Sequence, residues 1–368
     1  MQSILIVDDD ETVSCAVADA LVRDGRKLIL CSDLESAQLV IEREPPDCVI
    51  TDIHLSGPFR YEGLDFIQEI KRRTNDVPVI VITGARTEAL EREALDRGAS
   101  IVLQKPFDIA TLEAHLPASS GSEEASIERI PTLDEVLASP LLTPVFHPIV
   151  DISTGTCAVH GYESLARFGG MLFSNPQMLF DYASRKGRLT DLELTCVRNT
   201  FAHGASLNSG TKLFVNVHPT VIGSAQLADA LATAVSDAGL STERIVVEIT
   251  EQASLGSSAT VENRCRALRE LGFSFALDDV GMAYSHLAHI EQIRPSYLKV
   301  SQDFGTDFEA HAMRTKIVKN VLSLAHDFGC ELVLEGIETA ETREAAQALG
   351  IRLGQGFLFA RPAPASEF

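Results

Sequence analysis

Through the first 116 residues, short apolar runs alternate with stretches of helical period. The runs cover residues 4–7, 28–30, 48–50, 77–82 and 101–103, and segments such as 11–23, 64–73 and 87–97 space their apolar residues three and four apart. Continuously apolar strands alternating with amphipathic helices predict an α/β fold: a five-stranded, doubly wound parallel sheet with helices on both faces. From about residue 145 the alternation resumes, with strand candidates at 145–151, 158–163, 212–217, 244–249, 274–278, 297–300, 331–334 and 356–360. Eight strands with helical intervals in about 235 residues predict a (β/α)8 barrel. Only a short stretch around STGT separates the first two, so they are expected to form a hairpin.

Between the two patterns lies PASSGSEEASIERIP, residues 117–131, which is small, polar and acidic. It reads as a linker, with a helical connector over 132–138. The expected division is therefore 1–116, 117–131 and 132–368.

Composition narrows the chemistry. The chain has 368 residues, 45% of them hydrophobic, enough for two cored domains. A net charge of −21 with no Lys/Arg run argues against a nucleic acid polymer as partner. A small phosphorylated ligand stays open, because clustered carboxylates can hold divalent cations that face phosphates. The seven cysteines are scattered, with no C-x-x-C pair, and read as idle thiols in a reducing cytosol. The N-terminus runs straight into SILIVDDD, unlike a signal peptide. No apolar run approaches the roughly 18–20 residues that span a bilayer. A cytoplasmic protein without membrane contact is expected.

Candidate chemistry in the first domain collects at strand ends. Asp8, Asp9 and Asp10 close the first strand, Asp52 the third, Thr83 the fourth and Lys105 the fifth. In a doubly wound sheet these ends converge on one crevice. An acid cluster, a hydroxyl and a lysine there can bind one divalent cation and present a carboxylate for phosphorylation. On these residues, 1–116 resembles the response-regulator receiver family. The resemblance implies that Asp52 accepts the phosphoryl group and that Asp8 and Asp9 hold magnesium. It implies that Thr83 donates to the phosphoryl group, that Lys105 pairs with it, and that the Lys105–Pro106 bond is cis. Two departures stand out: the loop after Asp52 is longer than usual, with Ser56 in place of a common proline, and Val102 takes the place of an aromatic switch residue.

In the second domain, polar groups follow successive strands: Glu163, Asn216, Glu248, Asp278 with Asp279, Lys299, Glu335 and Gln355. Each alone has a bland reading as a helix cap, a turn residue or a snorkelling lysine. Together, at the C-terminal ends of barrel strands, they form a catalytic constellation. So many carboxylates would repel in a low-dielectric cleft without cations. Two divalent cations about 3.5–4 Å apart suit the set, and such pairs stabilise attacking and leaving oxygens in phosphodiester displacement.

This pattern resembles the EAL-domain family of cyclic di-GMP phosphodiesterases over residues 140–368. The name motif E-A-L-x-R appears as Glu163-Ser164-Leu165-Ala166-Arg167. The resemblance implies metal ligation by Glu163, Asn216, Glu248, Asp278 and Asp279, with Glu335 at the metal site or acting on the nucleophilic water. Lys299 would position that water, and Glu251 would brace the loop after Asp278-Asp279. Arg167, Leu165 and Gln355 would meet the substrate, with Glu338 in the supporting shell. The departures are Ser301 for an aspartate, Val280 and Ala283 in the loop 278–285, His147 for a glutamine, and Arg352 for an aspartate.

The resemblances together imply hydrolysis of cyclic di-GMP to linear pGpG. Two magnesium or manganese ions would sit in the EAL site and one in the receiver, with a sensor histidine kinase as partner and a homodimer as the assembly. Ser301 and the altered loop keep a second reading open, a non-catalytic cyclic di-GMP sensor. A Schiff-base aldolase is disfavoured, because crowding carboxylates would keep Lys299 charged.

Overall fold

The apolar runs of the first third become β1 (Gln2–Val7), β2 (Arg26–Cys31), β3 (Cys48–Asp52), β4 (Val79–Thr83) and β5 (Ile101–Gln104). Between and after them run α1 (Glu11–Leu21), α2 (Leu34–Arg43), α3 (Glu62–Arg73), α4 (Glu88–Asp96) and α5 (Ile109–Glu113). This computed structural model describes residues 1–55, 61–74, 76–84, 86–118, 123–169, 172–224, 226–250, 258–281 and 286–368. Asp10, Asp33, Thr87 and Asp108 cap their helices through side-chain oxygens, each cap contributing about 1 kcal/mol. Every residue of β3 and β4 is buried, which is why their sequences lack the alternation of a half-exposed strand.

The sheet has a sixth strand, in the order β5-β4-β3-β1-β2-β6, where β6 is Ser126–Arg129. It comes from the segment expected to be linker, and pairs with β2 from Lys27↔Ser126 to Leu30↔Arg129. As an edge strand with three of its four residues exposed, it carries the polar composition that edges favour. The helix α6 (Leu133–Ala138) follows, with a capping box between Thr132 and Glu135.

Two compact units result. One is Met1–Ser139 with Gly170–Gly187, and the other is Pro140–Gly169 with Arg188–Phe368. The first thus includes α7 (Pro176–Arg185), a piece that the sequence pattern assigned to the barrel. Tyr182 of α7 is fully buried, stacks on Phe173 with centroids 5.4 Å apart, and donates its hydroxyl to Asp33 Oδ2 at 2.6 Å. Lys186 pairs with Asp33 at 3.4 Å and Glu35 at 3.3 Å.

The second unit is a closed barrel. Its strands are β7 (Leu142–Asp151), β8 (Ala158–Phe168), β9 (Lys212–Asn216), β10 (Ile245–Thr250), β11 (Ser274–Val280), β12 (Tyr297–Val300), β13 (Glu331–Leu334) and β14 (Leu353–Gln355). The hydrogen-bonded order is β10-β11-β12-β13-β14-β7-β8-β9. β7 is antiparallel to both neighbours and the other pairings are parallel, so the expected hairpin opens the barrel. The last strand lies three residues before the expected 356–360. Gly356 turns the chain away where a Cβ would meet Ile337 O at 2.2 Å, and Phe359 N–H closes onto Gly356 O. Among the described residues, no helix is long and apolar enough to cross a membrane.

Outside the wall, α8 (Leu189–Gly204) buries Glu193, whose two carboxylate oxygens accept His218 N–H at 2.8 and 3.0 Å. Burial pushes this carboxyl from 4.5 up to about 8. The native state then keeps a proton that the unfolded chain releases, so stability falls as pH rises between those values, by at most about 1.4 kcal/mol per pH unit. Glu193→Gln should flatten that part of the slope. Urea midpoints of the barrel at pH 6 and 8.5, compared between variant and wild type, test it, and parallel slopes would refute it.

Candidate active site

The inner face of the barrel explains the polar cluster. An apolar layer of Ile149, Phe214, Val246, Ala276, Tyr297, Val333 and Leu353 fills the interior, with Gly161 completing it on β8 beside the Phe214 ring. Strand side chains alternate faces, so the next inward position lies two residues nearer the mouth. Those positions are His147, Glu163, Asn216, Glu248, Asp278, Lys299, Glu335 and Gln355, one from each strand or its immediate end. His147 was noted in the sequence only as a departure. β7 runs against the other strands, so His147 precedes its apolar neighbour where the others follow theirs.

Lys299 sits at the centre of this ring. Its ammonium is fully buried and lies 2.9 Å from Glu335, 3.0 Å from Glu248, 3.2 Å from Glu163 and 3.5 Å from Asp278. Burial alone would lower its pKa, but these carboxylates, Asp278 and Glu163 foremost, hold it well above the usual value. The acids divide. Burial raises Asp278 and Glu335, the latter to about 8, and raises Glu248 strongly. Glu163 feels the same burial penalty, but Lys299 and a 2.8 Å hydrogen bond from Gln355 Nε2 bring it below the usual range. Asn216 Nδ2 reaches Glu163 Oε1 at 3.3 Å.

Oxygens of Glu163, Glu248 and Asp278 lie within 4.8 Å of one another. Both Glu248 oxygens are buried; Oε1 faces Lys299 Nζ at 3.0 Å, and Oε2 has no hydrogen-bond partner among the described residues. Four carboxylates around one ammonium, two of them buried and one oxygen of Glu248 without a partner among the described residues, have the donor set of a divalent cation site.

The flanking residues are placed as follows. Glu163 lies in mid-strand, and not at a strand end as expected, because the β7–β8 hairpin continues past the rim to Leu142↔Phe168. Leu165 and Arg167 therefore stand above Glu163 on the same face, and Arg167 Nη1 donates to Ala166 O at 2.9 Å. A pairing irregularity between Leu277 and Val280 puts Asp279 in the left-handed region at φ 57, with its N–H on Asp278 Oδ1 at 2.9 Å. Such bulges re-aim side chains beside active sites. Ser301 caps the short helix Gln302–Gly305 by accepting Asp303 N–H at 3.4 Å. Val280 is packed in the outer core. Glu338 is exposed, and Arg352 pairs with Asp151 and Glu331 away from the mouth. Glu251 and residues 282–285 lie outside the described residues.

The first unit carries its own cluster. Asp8, Asp9 and Asp52 offer oxygens within 4.8 Å of one another. Lys105 Nζ donates at 2.7 Å to both Asp8 Oδ2 and Asp52 Oδ2. Burial opposes the Lys105 charge, yet its hydrogen bonds to Asp52 and Asp8 outweigh that and raise its pKa. Burial likewise raises Asp8. Thr83 is buried at the end of β4 and the Lys105–Pro106 bond is cis. Asp10 turns away to cap α1 through Thr12 N–H at 2.8 Å, so it leaves the cluster.

Comparison with known proteins agrees with both clusters. Residues 4–117 match the response regulator receiver domain and residues 132–362 match the EAL domain. The chain is 25% identical over 394 aligned positions to the cyclic di-GMP phosphodiesterase RocR of Pseudomonas aeruginosa, covering 100% of this chain and 97% of RocR. It is 28% identical to the probable cyclic di-GMP phosphodiesterase PdeG of Escherichia coli, over 60% of this chain and 44% of that protein. A solved manganese and cyclic di-GMP complex of BlrP1 from Klebsiella pneumoniae superposes with a TM-score of 0.56 at 28% identity, covering 62% of this chain and 58% of that one.

Proposed function

The chain belongs to the EAL-domain family, with a receiver domain ahead of the EAL domain, and on that premise we propose that it hydrolyses cyclic di-GMP to linear pGpG under control of phosphorylation at Asp52. The observation that carries the reading is the ring of eight inward positions, in which Lys299 lies among four carboxylates and Glu248 Oε2 has no hydrogen-bond partner among the described residues. The relatives RocR and BlrP1 support the substrate class.

Glu163, Asn216, Glu248, Asp278 and Asp279 would hold divalent cations, magnesium or manganese. Bound cations supply charge stabilisation at the phosphodiester and a water of lowered pKa. Arg167, above the ring, would pair with a substrate phosphate. Lys299 orients the carboxylates and would hold the attacking water in line. Glu335, 2.9 Å from Lys299, can take the proton of that water at its carboxylate. The new oxygen–phosphorus bond forms as the bond to the ribose 3′-oxygen breaks, and that oxygen leaves as a hydroxyl. The direct test is purified full-length protein with cyclic di-GMP and manganese, the product resolved by chromatography. Binding without any turnover across a manganese and magnesium titration would overturn the reading and leave a sensor.

In the receiver, Asp8 and Asp9 would hold one magnesium, and Thr83 and Lys105 would meet the phosphoryl group delivered by a sensor histidine kinase. Asp52→Asn is expected to abolish stable labelling by acetyl phosphate. Asp52 ends β3 with one oxygen on Lys105 and the other held by Ile53 and His54 N–H groups. Undiminished labelling of the variant would place the acceptor on another residue.

A further inference from the structure

Glu193 is a buried acid that the catalytic reading does not use. It lies on α8, outside the barrel wall, and is 4% exposed. Both its oxygens are spent on one backbone donor, His218 N–H. His218 stands two residues beyond Asn216, where β9 ends and a four-residue helix, α9 (Pro219–Ile222), begins with His218 as its cap. Asn216 is exposed at the mouth and paired on one side only, with Glu248 across β10, because the β8 ladder stops at Val215. Its backbone is fixed further by two donors just beyond it. Val217 N–H goes to Glu248 O at 3.0 Å, and His218 N–H goes to Glu193.

The same helix grips the neighbouring strands. Thr200 shares a buried 2.6 Å hydrogen bond with Ser164, next to Glu163, and Asn199 Nδ2 donates to Leu142 O of β7 at 2.7 Å. Thus α8 sets the spacing between the strand of Glu163 and the turn of Asn216, whose side chains meet at 3.3 Å. The His218 N–H shared between both Glu193 oxygens, at 2.8 and 3.0 Å, ties that turn to α8.

We propose that Glu193 is a positioning residue for the cation site, acting through the backbone turn that carries Asn216. The proposal rests on the reading of the barrel mouth as a cation site. Partners behind metal ligands typically change metal affinity by 10–100-fold when removed. The test is calorimetric titration of the full-length protein with manganese alone, the barrel site being the uptake that Glu163→Ala abolishes. Glu193→Ala should weaken that uptake by about 10–100-fold, and Glu193→Asp, which withdraws the oxygens by one methylene, by at least about fivefold. Glu193→Gln, which keeps a carbonyl acceptor for His218 N–H, should stay within about threefold of wild type. Urea midpoints of all three, measured alongside, separate affinity from stability. Wild-type affinity in a folded Glu193→Ala or Glu193→Asp would overturn the positioning role alone. Uptake in the unsubstituted chain that Glu163→Ala leaves unchanged would overturn the cation reading and the proposal with it.

Discussion

Lys299→Met is expected to slow cyclic di-GMP turnover by at least about a thousandfold, roughly 4 kcal/mol in barrier. The ammonium is fully buried among four carboxylates at 2.9–3.5 Å. Removing one partner from a buried ion cluster typically costs about 3–5 kcal/mol of stability. The loss should depend on conditions. The Lys299 pKa is raised, so its stabilising charge is present at all pH below its unfolded value near 10.4. The carboxyls supply the pH dependence. With Glu335 raised from 4.5 to about 8, and Glu248 and Asp278 raised as well, these three acids take up protons more readily in the native state and have less need of a counter-charge at low pH, whereas Glu163 is lowered. The fall in unfolding midpoint should therefore be largest at pH 8 in chelator, and smaller at pH 5 or with manganese. A fall of equal size in all three conditions, or turnover within tenfold of wild type, would refute the central role given to Lys299.

Glu163→Ala and Asp278→Ala should each abolish hydrolysis, again by a thousandfold or more, yet move metal-free stability in opposite directions. Glu163 is held below its usual pKa by Lys299 and Gln355, so its charge is net favourable and its removal destabilises. Asp278 is held above its usual pKa by burial, so its charge is net unfavourable at neutral pH and its removal stabilises. Product chromatography and thermal midpoints in chelator measure both effects. Turnover within tenfold of wild type in either variant, about 1.4 kcal/mol in barrier, would rule out cation ligation by that residue.

Much of this site was legible because barrel strands obey a period of two. Asn216, Glu248, Asp278, Lys299 and Glu335 each follow an inward apolar residue by two positions, so strand candidates alone align them, whereas Gln355 lies ahead of its candidate strand at 356–360. Glu163 was found with its strand cut short, since its pairing past the rim depends on β7, distant from any local signal. Glu193 was missed because a lone acid in a helix reads as a solvated face. Only the position of His218, 25 residues on, shows what it holds. The strand β6 was hidden by the polarity that suits an edge. The place of α7 was not legible at all, because its partner Asp33 is 149 residues away.

That last feature limits how such proteins can be rearranged. Splicing a foreign receiver onto this chain at residue 131 would preserve α7 but remove Asp33 and Glu35, which pair with Tyr182 and Lys186. A buried tyrosine hydroxyl that loses its acceptor costs about 1–3 kcal/mol. Shuffling of the two modules by recombination is therefore constrained at residues 172–187 as well as at the junction between them. A donor receiver has to bring acids on the first turn of α2, or the recipient has to exchange residues 172–187 along with it.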